Sequence, residues 1–187
     1  MPDAPAATSA AKIMRMPIAR SNFTIEALKV RHDGRFALAH RLQVVRNVAC
    51  TIYADGGARG NPGPAAAAAV IVTEGGNVAE LSAFLGTATN NVAEYRALLL
   101  ALDKATELGC TRVSLRLDSE LIVRQLNGLY RVKDPKMREL HQRAQTALRR
   151  FEAWDARHVP RSENKRADEL VNAELDAHER ALRGVKQ

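Results

Sequence analysis

Four carboxylates, Asp55, Glu94, Asp118 and Asp168, stand where acids are out of place. Asp55 closes the β-rich run VACTIYA and is followed by glycines at 56, 57, 60 and 63, while Asp118 closes the alternating run RVSLRL. In open sheets the ends of strands border the crevice where ligands bind. Glu94 recurs at helical spacing with Leu98, Ala101, Ala105 and Leu108, so it shares the apolar, inward stripe of its helix. Asp168 lines up likewise with Val171 and Leu175. Taken singly, each acid has an ordinary structural use. Asn91 and Glu94 have capping-box spacing, Asp118 can cap the helix after it, Asp168 can complement a helix dipole, and Asp55 can be a turn acid. These uses leave unexplained why two acids at strand ends and two on inward helix faces would meet in one region. Converging carboxylates resist ionisation unless a cation sits among them. With oxygen ligands and no Cys or His set at metal spacing, the expected cation is Mg2+, or Mn2+, rather than zinc. Two such ions held by shared carboxylates can activate a water on one side of a phosphodiester and stabilise the leaving oxygen on the other, so the expected chemistry is phosphodiester hydrolysis. His158, between a strand and a Pro-containing loop, can trade a proton near neutral pH, whereas His32, His40, His141 and His178 read as ordinary surface histidines.

The elements that must position these residues are legible from Val48 onward. VACTIYA is a strand, and AAAAAVIVTEGGNVAELSAFLG supplies two more, joined at Glu74-Gly75-Gly76-Asn77 as a hairpin. A helix follows from Val92 to about Leu108, ended by Gly109. RVSLRL is a strand, SELIVRQLNG a helix closed by Asn127-Gly128, MRELHQRAQTALRRF a helix, EAWDARHV a strand, and NKRADELVNAELDAHERAL a last helix. A meander followed by strands alternating with helices implies an α/β protein with a mixed sheet and helices on both faces.

Composition supports one globular domain and an appendage. At 187 residues and 46% hydrophobic, the chain can bury one ordinary core. Residues 1–47 carry 8 Lys+Arg and 3 Asp+Glu, a net +5, while 48–187 carry 20 and 18, a net +2. The basic extension 1–47 would attract a polyanion such as nucleic acid, with a second basic cluster in YRVKDPKMRELHQRAQTALRR. Residues 1–20, rich in Ala, Pro, Ser and Thr, are expected to be disordered, and NFTIEALKVRHDGRFALAHRLQVV to form two short helices around a His-Asp-Gly turn. No apolar run reaches the length of a membrane span, and Pro2, Asp3 and Pro5 stand where a secretory signal needs basic, then apolar residues. The expectation is a cytoplasmic protein without membrane attachment. Cys50 and Cys110 match neither a zinc set nor a disulfide framework and read as buried, reduced thiols. The Gly-rich segment after Asp55 lacks the lysine of a nucleotide-binding loop and leads into a strand through prolines, so it is not a nucleotide cradle.

YADGGARGNPGP, TNNVAEYRALLLAL, LRLDSELIVRQLNG and HVPRSENKRADELVN resemble, in order and spacing, the motifs of type 1 ribonuclease H, over about Val48 to Asp176. The resemblance implies a ribonuclease H-like fold with a central five-stranded mixed sheet, a catalytic domain over 48–187, and monomeric, endonucleolytic cleavage of the RNA strand of RNA/DNA hybrids with two Mg2+ per site, or Mn2+. It implies that Asp55, Glu94, Asp118 and Asp168 are the metal-binding acids and that His158 is the mobile-loop histidine that moves a proton or helps release product. It further implies hybrid contacts from Gly56, Asn61, Thr89, Asn90 and Asn91, since short amides and hydroxyls can touch 2′-hydroxyls and phosphates across a shallow minor groove. Two departures stand out: Glu120 occupies a position where many members have a hybrid-contacting glutamine, and only LYRVKDPKM stands where some bacterial members have a basic, helical protrusion. That short link resembles the archaeal-like, protrusion-free members. Other readings are a polynucleotidyl transferase or exonuclease of the same fold, although such exonucleases usually carry an acid where Gly57 stands, and a non-catalytic hybrid- or double-stranded-RNA-binding module.

Overall fold

Five consecutive alanines, Ala65 to Ala69, mark a strand that is covered on both faces. In the computed structural model, which describes residues 26–32, 35–41 and 48–184, they lie in the strand Gly63–Thr73 and are all fully buried. Side chains alternate across a strand. Ala65, Ala67 and Ala69 therefore join the main core, while Ala66 and Ala68 pack against Val171 and Leu175 of the last helix on the other face. Methyl-sized side chains on both faces allow a helix to approach each side of the sheet closely.

The unit 48–187 contains strands β3 (Ala49–Ala58), β4 (Gly63–Thr73), β5 (Val78–Ala88), β6 (Arg112–Leu117) and β7 (Ala153–His158), with helices α1 (Asn90–Glu107), α2 (Glu120–Leu126), α3 (Pro135–Leu148) and α4 (Lys165–Gly184). The sheet runs β5-β4-β3-β6-β7; β3, β4 and β5 pair antiparallel, while β6 runs parallel to both β3 and β7. It is the mixed, five-stranded sheet with helices on both faces that the sequence implies. Helix α1 lies on β3 and β4 and packs on α3, whereas α4 covers β3, β4 and β5 from the opposite side. Leu98, Ala101, Leu102 and Ala105 of α1 and Ile52, Ile71 and Leu115 of the sheet are fully excluded from solvent.

Local chemistry sets the boundaries. The Thr89 side chain caps α1 by accepting from the Val92 amide, 3.4 Å, so the capping-box reading of Asn91 and Glu94 is incorrect: both lie inside the helix, and Glu94 is released from capping. Asp134 caps α3 by accepting from the Met137 amide at 2.8 Å, with Pro135 at the first helical position, where its missing N–H costs nothing. Gly109 and Gly128 adopt φ of 73° and 74° just beyond α1 and α2, where a side chain would be strained.

Two expectations need correction. Cys50 and Cys110 are not free thiols but a disulfide with Cα atoms 6.1 Å apart. Sixty residues separate them, so spacing carried no signal; the parallel pairing of β3 and β6, with Cys50 opposite Val113, brings the start of β6 and the preceding Cys110 against β3. In the separate unit 1–47, the segment expected as two helices forms an antiparallel pair, β1 (Glu26–His32) and β2 (Arg35–Arg41), with His32 opposite Arg35. Leu28 and Val30 alternate with Lys29 and Arg31, and that period of two outweighs the looser helical spacing. The disorder expected for residues 1–20 lies outside the described residues.

Candidate active site

Asp55, Glu94 and Asp118 come from three different elements and converge: one carboxylate oxygen from each lies within 4.8 Å of the others. Asp55 does not end its strand, which continues to Ala58, and it is buried, with 8% of its surface exposed. The parallel register that pairs Ala54 with Leu117 sets the next residue on each chain side by side, and these are Asp55 and Asp118. Glu94 arrives from α1 because that helix touches β3 at Gly56. A Cβ at Gly56 would lie 2.1 Å from the Ala93 carbonyl carbon and 2.2 Å from the Glu94 nitrogen, so only glycine permits the approach.

Asp168, on the first turn of α4, lines the same cleft of about 240 Å3, but it is not one of the three acids within mutual reach. Its carboxylate pairs with Arg161, and Asn172 donates to it at 3.3 Å. His158 ends β7, is exposed, and donates from Nε2 to the Asp118 carbonyl at 3.1 Å, which puts its ring at the rim of the cluster. Glu120 pairs with Arg124 one turn along α2, at 2.6 Å, so the acid at that departing position is engaged within its own helix.

Of the residues expected to touch nucleic acid, Gly56 and Asn90 line the same cleft. Asn61 accepts from the Asn90 amide at 3.2 Å, joining the β3–β4 loop to the start of α1; Asn90 and Asn91 are exposed there, and Thr89 is engaged as the helix cap. Gly56 is buried, serving the approach of α1. Two residues that the motifs did not single out belong to the site. Arg161 faces Asp168 and lowers the electrostatic cost of ionising Asp55 and Glu94. Asn164, 1% exposed, donates to Asp118 Oδ1 at 2.8 Å. Their sequence signal is faint: a basic residue and an asparagine in a loop before a helix are usually surface and capping residues.

Burial, and then the neighbouring carboxylates Asp118 and Asp168, raise the Asp55 pKa to about 6 despite the opposing Arg161 charge and Gly56 amide. Glu94 is pushed up to about 9 by burial and then by Asp55 and Asp118. Such a group of acids is costly to ionise alone and becomes favourable once a cation sits among it. The donors are all carboxylate oxygens, and no Cys or His belongs to the group, so it suits a hard divalent ion. Dependence on a divalent metal is the consequence.

Comparison with known proteins agrees with this geometry. A family described as "Reverse transcriptase-like" matches residues 53–174. Ribonuclease HI of Halobacterium salinarum is 48% identical over 125 residues, 66% of this chain and 63% of that protein. A ribonuclease H of Hydrogenovibrio crunogenus is 33% identical over 139 residues, covering 67% of this chain and 94% of the relative. Among solved structures, LC11-RNase H1 in complex with RNA/DNA hybrid is 46% identical with a TM-score of 0.66, over 69% of this chain and 98% of the other. The chain thus spans less than two thirds of the Halobacterium relative's length. Sheet order, acid placement and these likenesses together assign the chain to the type 1 ribonuclease H family.

Proposed function

We propose that this chain is an endonuclease that hydrolyses the RNA strand of RNA/DNA hybrids. The observation that carries the reading is the convergence of Asp55, Glu94 and Asp118 within 4.8 Å, on a chain similar to a ribonuclease H1 solved with a hybrid. These acids, with Asp168 beside them, would hold two Mg2+ ions, or Mn2+. Such ions, when bound, supply activation of a water and stabilisation of the leaving oxygen.

In the balanced reaction the water oxygen bonds to phosphorus, the bond from phosphorus to the leaving sugar oxygen breaks, and the water's proton is matched by one gained at that oxygen. His158, exposed at the rim, serves as the proton carrier between cleft and solvent. Arg161 offsets the negative charge of the cleft that the phosphate must enter. Asn61, Asn90, Asn91 and Thr89 read the substrate: their amides and hydroxyl suit 2′-hydroxyl and phosphate oxygens, which distinguishes RNA from DNA. Gly56 lines the cleft with its missing side chain taken up by the approach of α1, so its contact with the hybrid would run through its backbone.

The enzyme is proposed to act as a monomer in the cytoplasm, without membrane attachment. In support, one copy supplies every acid of the cleft, and among the described residues no helix is long and apolar enough to cross a membrane. The test is a strand-labelled RNA/DNA hybrid incubated with Mg2+, comparing the natural chain with Asp118→Asn. The expected result is cleavage of the RNA strand alone, with a loss of about 100-fold or more in the variant, beyond the scale of a merely perturbed metal ligand. Cleavage of the DNA strand, or equal activity of the two proteins, would overturn the proposal.

A further inference from the structure

We infer that Asn164 is the positioning residue of the acid cluster: its side-chain amide fixes where the Asp118 carboxylate stands relative to β3, and that placement sets the cluster's affinity for a divalent cation. This rests on the metal-dependent reading of the site given above.

Asn164 lies between the 3-10 turn Arg161–Glu163 and α4 and is 1% exposed. Its backbone carbonyl accepts from the Asp168 amide at 3.2 Å, which makes it the residue that opens α4. An asparagine in that place ordinarily turns its Oδ1 onto the free amides of the helix's first turn. Here Oδ1 has no hydrogen-bond partner among the described residues, and the side chain is committed elsewhere. Its Nδ2 donates to the Ala54 carbonyl at 3.0 Å and to Asp118 Oδ1 at 2.8 Å.

Both neighbours are pure acceptors when Asp118 is ionised, so the amide has a single orientation that satisfies them, with its NH2 end toward the cluster. Three of the acids are thereby referred to one group. Asp55 is bonded directly to Ala54, Asp118 is held through its carboxylate, and Asp168 is held through the first turn of α4. Among the described residues the Asn164 amide is the one hydrogen-bond donor to the Asp118 carboxylate. Asp118 follows the last residue of β6, so without that donor its side chain is free to rotate away from Asp55. Partners that orient ligating carboxylates control metal affinity even though they never touch the metal.

The test is calorimetric titration of Mg2+ into the full chain, the Asn164→Ala variant and the Asn164→Ser variant, with thermal unfolding in EDTA alongside. Asn164→Ala is expected to weaken Mg2+ binding about 10- to 100-fold. Asn164→Ser, which keeps one donor, should fall between. On a hybrid, kcat should drop while KM stays, because Asn164 is buried and touches no substrate. Wild-type Mg2+ affinity in the alanine variant, or in the serine variant should the alanine one not fold, with only the unfolding temperature lowered, would reduce Asn164 to a helix-opening residue and overturn the inference. Absence of Mg2+ binding by the natural chain would instead overturn the metal-dependent reading, and the inference with it.

Discussion

Asp55 and Glu94 carry the electrostatic cost of the site, and its pH dependence can be derived from them. Both groups have folded pKa values above their ordinary 3.8 and 4.5, at about 6 and about 9, chiefly because they are buried. As pH rises, the unfolded chain releases these protons first. The folded state then binds more protons than the unfolded one, and stability falls with pH. In EDTA the loss should begin near the ordinary carboxylate values, pass through about 6 for Asp55 and continue to about 9 for Glu94. A divalent cation favours the ionised forms, so the rise in unfolding temperature on adding Mg2+ should be larger at about pH 8 than at about pH 5, where it must displace protons. Thermal unfolding with Mg2+ or EDTA across that range checks this, and equal increments at both ends would contradict it. The convergence of Asp55, Glu94 and Asp118 is legible in the sequence only jointly, because each acid alone has an ordinary use as a cap or turn residue and those separate uses do not explain why they share one region. Asn164 and Arg161 were not, since nothing in their types separates them from a cap and a solvated loop charge until α4 is docked.

The elements that carry these residues are tied together at Gly56. Strand β3 and helix α1 meet there with no room for a methyl group: the nearest backbone atoms would be 2.1 and 2.2 Å from a Cβ. Because those atoms belong to Ala93 and Glu94, any relief must move the turn that presents Glu94. Gly56→Ala is therefore expected to destabilise the fold by about 3 kcal/mol or more, above the usual range for overpacking, because backbone cannot rotate out of the way. It should also weaken Mg2+ binding, which Gly57→Ala should do less, since the atom met there, at 2.9 Å, is a movable Val171 methyl. Urea unfolding and Mg2+ titration of the two variants decide the matter, and an equally stable Gly56→Ala would refute it. The strand and helix order was legible from alternation and from stop signals such as Asn127-Gly128. The end of β3 was misplaced because glycines after Asp55 look like a turn, whereas here they allow a strand to pass beneath a helix. The disulfide escaped notice because it joins elements neighbouring only through the parallel pairing of β3 with β6.

At the scale of the whole molecule, charge and chemistry are divided between two units. The unit 48–187 holds every acid of the cleft and its own core, yet its net charge is only +2. Residues 1–47 hold +5 from 8 Lys+Arg and 3 Asp+Glu, and their strands β1 and β2 form a sheet of their own. The uneven charge is legible from composition, but the strand pair is not, because a few alternating residues have to outweigh a plausible helical spacing. Polyanion binding is driven by counterion release, and each phosphate neutralised contributes about 0.9 to the slope of log affinity against log salt on duplex DNA. The link between α2 and α3 is short in this chain, and the extension's net +5 is a reserve of positive charge outside the unit that holds the cleft, available to grip a hybrid alongside the basic residues around α3. Removing residues 1–46 should therefore weaken hybrid binding at low salt, reduce the salt slope by about 2 or more, and let the two affinities converge as salt rises. Mg2+ affinity should stay unchanged, because no acid of the cleft has been removed. Binding isotherms for a fixed hybrid over a series of salt concentrations, on the full and shortened chains, give the slope directly. A slope unaltered by the deletion would mean that the extension's charges never meet the phosphates, and that the cleft and the basic residues around α3 hold the substrate alone.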